Sequence, residues 1–178
     1  MKSDIEKVYF TEEMIQTRVR ELGAQLSSEY AGKKPLLVGV LKGSFIFLAD
    51  LARQLDIPCE IEFITASSYG NGTETSGEVK MTSTLGAIIK NRHVIIVEDI
   101  LDTGLTLDYL KRHLLGQNPA SLRICTFLDK PSRRKVILSA DYVGFESIDA
   151  FYVGYGLDYA GEYRNLPYIG SLKPAIYS

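Results

Sequence analysis

The chain has 178 residues, 46% of them hydrophobic and 24% charged, with 15 Gly and 6 Pro. At roughly 150 residues per domain this predicts a single domain, 1–178, with room for a real core, and excludes collagen-like sequence and wholesale disorder. Twenty Lys and Arg against 22 Asp and Glu give a formal charge of -2, so there is no general basic field for nucleic acid and any polyanion site must be local.

Met1 to Phe10 alternates charge with isolated apolar residues and contains no targeting stretch, and no later segment approaches about 18 consecutive apolar residues. The expectation is a cytoplasmic protein with no membrane partner. From Thr11 to Tyr30, Met14, Ile15, Val19, Leu22 and Leu26 recur at helical spacing, with Thr11 as N-cap and Glu12 and Glu13 in the first turn. Leu36 to Leu41 is apolar on both faces, as a central strand of a parallel sheet is. Lys42-Gly43-Ser44 ends it, Phe45 to Leu55 reads as a helix, and Cys59 to Ala66 as a second strand.

Ser67 to Ser83 is polar, glycine-rich and aperiodic, which predicts a mobile loop or an extended hairpin. His93 to Val97 is another apolar strand, expected to break at Glu98-Asp99, and Thr106 to Leu115 resumes at helical spacing through Leu107, Leu110 and Leu114. Leu122 to Leu128, Tyr142 to Phe145 and Phe151 to Tyr155 read as further strands. Cys59 and Cys125 lie in apolar runs without metal-ligand or disulfide spacing and read as buried thiols. His93 and His113 read as structural or exposed. Alternating apolar strands and amphipathic helices define an α/β domain with a mostly parallel sheet, whose ligand sites lie beyond the carboxyl ends of the strands.

The chemistry concentrates in Val94 to Thr106, where Glu98, Asp99 and Asp102 put three carboxylates within five residues at the end of a buried strand. A helix cap needs one such group, not three. Asp102, Thr103, Gly104, Leu105 and Thr106 offer backbone N–H groups and two hydroxyls at a helix start, which suits phosphate. Glu98 and Asp99 suit hydroxyls or a cation. Together they suggest a phosphorylated sugar, and the absence of Gly-x-x-x-x-Gly-Lys-Ser/Thr disfavours an ordinary NTPase.

This segment resembles the phosphoribosyl-pyrophosphate (PRPP) motif of the type I phosphoribosyltransferases. Leu41-Lys42-Gly43-Ser44, Ser68-Tyr69, Lys130, Phe151 to Asp158 and Arg164 resemble the hypoxanthine-guanine branch, and the sequence from Gly156 to Gly170 resembles its bacterial members most. The resemblance implies a twisted, mostly parallel sheet flanked by helices, a lid at about 67–83, and a small hood built from the N-terminal segment and about 130–178. It also implies Mg²⁺-dependent transfer of the phosphoribosyl group from PRPP to N9 of hypoxanthine and guanine, giving IMP or GMP and pyrophosphate in purine salvage.

In that pattern Asp102 is the general base near purine N7 and, with Thr103, Gly104, Leu105 and Thr106, part of the 5′-phosphate cradle, Leu105 through its N–H alone. Glu98 and Asp99 hold the ribose hydroxyls and are linked to the metal, for which Asp158 is the direct ligand. Lys42, Gly43 and Arg164 bind pyrophosphate, often with a cis peptide before Lys42. Ser68 and Tyr69 open the lid. Lys130 donates to the purine O6, Phe151 stacks on the base, and the backbone near Tyr152 and Asp158 receives a guanine amino group. A homodimer or homotetramer is implied. Arg133, Arg134 and Lys135 are open to three readings, a solvated turn, a subunit contact or help for the anionic substrate, of which the first two are favoured. Two other readings stay open: a xanthine- or guanine-preferring enzyme on the same fold, and a PRPP-sensing regulator that binds nucleic acid.

Overall fold

In the computed structural model, residues 1–68, 79–81, 85 and 87–176 are described. Strand β1 (Ile5–Phe10) leads into helix α1 (Glu12–Glu29), which Thr11 caps by accepting the Met14 N–H at 3.3 Å. There follow β2 (Leu36–Leu41), α2 (Phe45–Gln54), β3 (Glu60–Ser68) and the short β4 (Val79–Met81). Then come β5 (His93–Leu101), α3 (Leu105–Leu115), β6 (Ser121–Asp129), β7 (Tyr142–Glu146) and β8 (Ile169–Leu172).

Among the described residues one sheet runs β4-β3-β2-β5-β6-β7, parallel from β3 to β7, with β4 antiparallel at its edge. Alternate residues of each central strand face opposite layers. Leu37, Ile95, Val97 and Phe127 pack under α1 and α2 through Val19, Leu22, Phe47 and Leu51. Leu36, Val38, Val94, Ile96 and Ile124 pack on the other face under Leu107, Leu110 and Leu114 of α3. The strands are therefore apolar on both faces because both faces are covered.

After β2 the chain continues outward through α2 to β3, and after β5 it continues the other way through α3 to β6, so the order reverses between β2 and β5. Crevices outside the carboxyl ends of strands at such a switch point are where open α/β sheets bind ligands. Here those ends are Leu41-Lys42-Gly43 and Glu98 to Asp102.

Three sequence expectations need correction. The strand from His93 does not break at the acids: β5 stays paired to β6 at Glu98↔Thr126, Ile100↔Leu128 and Leu101↔Asp129, because ladder bonds are backbone bonds that carboxylates do not interrupt. Phe151 to Tyr155 forms no strand beyond isolated bridges at Val153↔Gly170 and Gly154↔Leu157, since positive φ at Gly154 (+96°), Tyr155 (+50°) and Gly156 (+100°) turns the chain out of the extended region. Cys125 is buried, its thiol pushed up to about 12 by desolvation, but Cys59 is only half-buried. β1 and β8, which composition does not single out, pair as a separate antiparallel two-stranded sheet with two register shifts. No helix among the described residues is long and apolar enough to cross a membrane.

Candidate active site

A cavity of about 300 Å³ opens at the switch point, lined by Leu41, Lys42 and Gly43 at the end of β2, by Glu98 to Leu101 of β5, by Asp102, Thr103, Gly104 and Thr106 after it, and by Asp158 and Arg164. Beside it lies a second chamber of about 270 Å³, walled by Lys130, Ala150, Phe151, Tyr152 and Leu157. Asp99, Ile100, Asp102 and Asp158 line both. One chamber is thus lined mainly by polar groups and the other is flanked by an aromatic ring and a lysine, with acids on the shared wall.

The floor is built by close backbone approach. The Leu41–Lys42 peptide is cis, as the resemblance implied. A Cβ on Gly43 would overlap the Asp99 carboxylate, and one on Gly156 would overlap the carbonyl of Gly43. Gly43 is therefore held between β5 and the Gly154–Asp158 loop. Gly104 has φ +81° and caps α3, where a Cβ would stand 2.9 Å from Val136 and 3.0 Å from Arg134. Thr103, Gly104 and Thr106 line the cavity, whereas Leu105 does not, and its N–H is directed to the Thr103 hydroxyl at 3.5 Å.

Glu98 is buried and Asp99, half-buried at the cavity wall, lies directly against it. Desolvation, then the Asp99 charge beside it, pushes the Glu98 carboxyl well above its ordinary range. Asp99 is raised too, chiefly by desolvation, against the pull of the hydrogen bond from Glu98, the Ile100 N–H at 2.8 Å and the Arg164 charge. Burying two carboxylates costs stability that the fold alone does not recover. Glu98→Gln is therefore expected to raise the thermal midpoint at neutral pH, because the amide fills the same place without the cost of protonating or burying a carboxylate, while lowering activity. Differential scanning calorimetry beside an activity assay checks this.

Asp158 Oδ1 pairs with Arg164 Nη2 at 2.6 Å and Oδ2 accepts the Gly161 N–H at 2.8 Å, so the two groups expected to meet metal and pyrophosphate meet each other here. Among the described residues no three His, Cys, Asp or Glu side chains converge to hold a metal on their own. Hard oxygen donors spread along one wall instead fit Mg²⁺, which takes one or two carboxylates and completes its octahedron with water and substrate oxygens.

Asp102 Oδ1 is buried with no hydrogen-bond partner among the described residues, and the nearest cation, Arg133 Nε, is 3.7 Å away. Phe151 is 52% exposed, which separates it from a core aromatic, and its ring meets Tyr159 edge-on. Tyr152 turns inward: its side chain is buried, packs edge-on against Tyr9 and donates to the Ile148 carbonyl, leaving its backbone at the chamber. Ser68 ends β3, paired with Val79, and Tyr69 and most of the predicted lid lie outside the described residues.

Sequence reasoning missed Arg134. Its Nη1 donates to the carbonyls of Leu101 (3.2 Å) and Asp102 (3.0 Å), its Nη2 pairs with Asp129, and Lys135 N donates to the Thr103 carbonyl at 2.9 Å. Arg134 and the Lys135 backbone thus brace the Leu101–Thr103 loop, while the side chains of Arg133 and Lys135 are exposed, as expected of a solvated turn. The only signal lay in its place just after Lys130. With Arg134 and Asp129 at 13% and 19% side-chain exposure, Arg134→Gln is expected to cost on the order of 3 kcal/mol, read by urea denaturation, because it strands a largely buried carboxylate.

A phosphoribosyl transferase domain model matches residues 9–160, and the chain belongs to that family. It is 55% identical over 177 residues, 99% of this chain and 98% of the relative, to the hypoxanthine-guanine phosphoribosyltransferase of Bacillus subtilis. A relative of the same name from Staphylococcus aureus is 51% identical over the whole chain and 99% of its own length. The crystal structure of a Staphylococcus aureus hypoxanthine phosphoribosyltransferase superposes with a TM-score of 0.97 at 50% identity, covering 100% of this chain and 97% of that one.

Proposed function

We infer that this chain transfers the phosphoribosyl group of PRPP to N9 of hypoxanthine or guanine in purine salvage, forming IMP or GMP and pyrophosphate. The observation that carries this reading is the pair of adjoining chambers with Asp99, Asp102 and Asp158 on their shared wall. Full-length similarity to relatives named for this activity supports it over a regulator or a xanthine-preferring enzyme.

In this reading the 5′-phosphate lies on the N–H groups and hydroxyls of Asp102 to Thr106, where a helix start favours an anion. Lys42, Gly43 and Arg164 take the pyrophosphate, Arg164 through its forked donors. Glu98 and Asp99 hold the ribose hydroxyls, and their partial charge favours the cationic character that develops on the ribose as pyrophosphate departs. The base stacks on Phe151 with its O6 toward Lys130, the backbone near Tyr152 and Asp158 receives a guanine amino group, and Asp102 receives the proton at N7 as N9 attacks. Bound Mg²⁺, held by Asp158 with help from Glu98 and Asp99, supplies charge neutralisation to the pyrophosphate. The β1–β8 layer with the segment from Lys130 onward forms the hood. A cytoplasmic homodimer or homotetramer completes the reading.

The test follows IMP absorbance with protein, PRPP and hypoxanthine, with and without Mg²⁺. Turnover that needs both PRPP and Mg²⁺ is expected. Turnover that persists in chelator would remove the metal from this account, and no turnover together with measurable nucleic-acid binding would replace the enzyme by a regulator.

A further inference from the structure

Lys130 carries an ammonium into a nearly dry place, with 8% of its side chain exposed. Such a charge is tolerated only when paired and hydrogen-bonded. Its Nζ donates to Asp149 Oδ1 at 2.8 Å and to the Ala150 carbonyl at 2.9 Å. An ammonium has three N–H donors, so two are spent on the chain and one remains for a ligand in the chamber that Lys130 lines with Asp102, Phe151 and Tyr152. The Lys130 hydrogen bond holds the Asp149 carboxyl below its ordinary range, so Asp149 is a charged partner at neutral pH.

Asp149 also faces the other side of the pocket rim. Arg133 Nη1 lies 4.0 Å from Asp149 Oδ2, and Arg133 Nε lies 3.7 Å from Asp102 Oδ1. The order Lys130, Asp149, Arg133, Asp102 thus runs around a shallow cavity bounded also by Ala150 and Phe151. It connects the group placed at purine O6 to the group placed at N7.

We propose that Asp149 is a positioning residue for base recognition: with the Ala150 carbonyl it takes up two of the three Lys130 donors, so that the third meets an exocyclic oxygen and favours 6-oxopurines over 6-aminopurines. The proposal rests on the function given above. Without Asp149 the ammonium regains a free donor and a choice of rotamers. An oxygen acceptor on the base then gains less from it, and an amino group, which Lys130 cannot accept from, is rejected less sharply.

The experiment compares wild type with Asp149→Asn, Asp149→Ala and Asp149→Glu, varying hypoxanthine and PRPP separately and including adenine as a competing base. The Ala variant loses a hydrogen bond between charged groups and is expected to raise the hypoxanthine KM on the order of 10-fold or more, while Asn, whose amide oxygen still accepts but carries no charge, is expected to raise it less. Their PRPP KM stays unchanged, their hypoxanthine-over-adenine preference shrinks, and the Glu variant recovers part of both losses. Although Asp149 itself is 56% exposed, its loss leaves the nearly buried Lys130 ammonium with the Ala150 carbonyl as its remaining partner, so circular dichroism and a melting profile establish the fold of each variant before its KM is read. A folded Asn or Ala variant with an unchanged hypoxanthine KM, or with losses in kcat alone, would overturn the role of Asp149 and leave the enzyme reading intact. No turnover of any base by wild type would overturn both.

Discussion

Asp102→Asn is expected to lower turnover of hypoxanthine by about 10²- to 10⁴-fold, the range general acid–base catalysis supplies, while PRPP binding stays close to wild type. The side chain stands on the wall common to both chambers, and its Oδ1 is buried without a hydrogen-bond partner among the described residues. A structural Asx turn would use that oxygen to receive loop N–H groups, yet the loop is held instead by Arg134 on the Leu101 and Asp102 carbonyls and by Lys135 on the Thr103 carbonyl. Asp102 Oδ1 therefore keeps its hydrogen-bonding capacity for a ligand, with the Arg133 guanidinium 3.7 Å away. Asn keeps the shape and loses the strong acceptor, so the cradle survives and the proton transfer does not. Single-turnover kinetics with PRPP bound in advance separates the two: a slow chemical step with normal PRPP affinity is the expected pattern.

Gly43→Ala is expected to weaken PRPP binding on the order of 10²-fold, the loss that a misplacement of about 1 Å produces in a positioned site. The new Cβ falls on the Asp99 carboxylate, and the backbone cannot retreat because Gly156, at φ +100°, already packs against the Gly43 carbonyl. Asp99 must swing away from its bond to the Ile100 N–H, which moves the group assigned to ribose and alters the floor assigned to pyrophosphate together. Isothermal titration with PRPP and Mg²⁺ reads the loss, and a normal melting profile shows that the sheet is unaffected.

The sequence was most legible where burial is periodic. Leu36 to Leu41 and Val94 to Val97 announce central strands, because a strand covered on both faces has no polar positions, and Thr11 with Glu12 and Glu13 marks the start of α1 correctly. The acids after Val97 mark the site but mislead about the strand, since polarity there reports a cavity and not a chain break. Phe151 to Tyr155 misleads the other way: an apolar, β-branched and aromatic run looks like a strand until the consecutive positive φ values around Tyr155 turn it. β1 and β8 are short and their paired residues lie 159 to 167 positions apart in the chain, from Phe10↔Ile169 to Ile5↔Leu172, so no local pattern links them.

Within the site, Glu98, Asp99, Asp102, Thr103, Gly104, Thr106, Lys42, Gly43, Asp158 and Arg164 converge on one cavity, and Lys130, Phe151 and Tyr152 on its neighbour. Arg133, Arg134 and Asp149 were not legible, because a basic run and a lone acid look the same in sequence whether they face water or brace a loop. Their roles come from distances: Arg134 to two carbonyls, and Asp149 to Lys130.

The most direct test of the central claim is the specificity constant of the purified protein, with PRPP and Mg²⁺, for hypoxanthine, guanine, xanthine and adenine. The two-chamber account predicts efficient use of hypoxanthine and guanine, both of which present O6 to Lys130, with adenine used poorly because it presents an amino group there. Adenine turned over as well as hypoxanthine, or no base turned over at all, would contradict it.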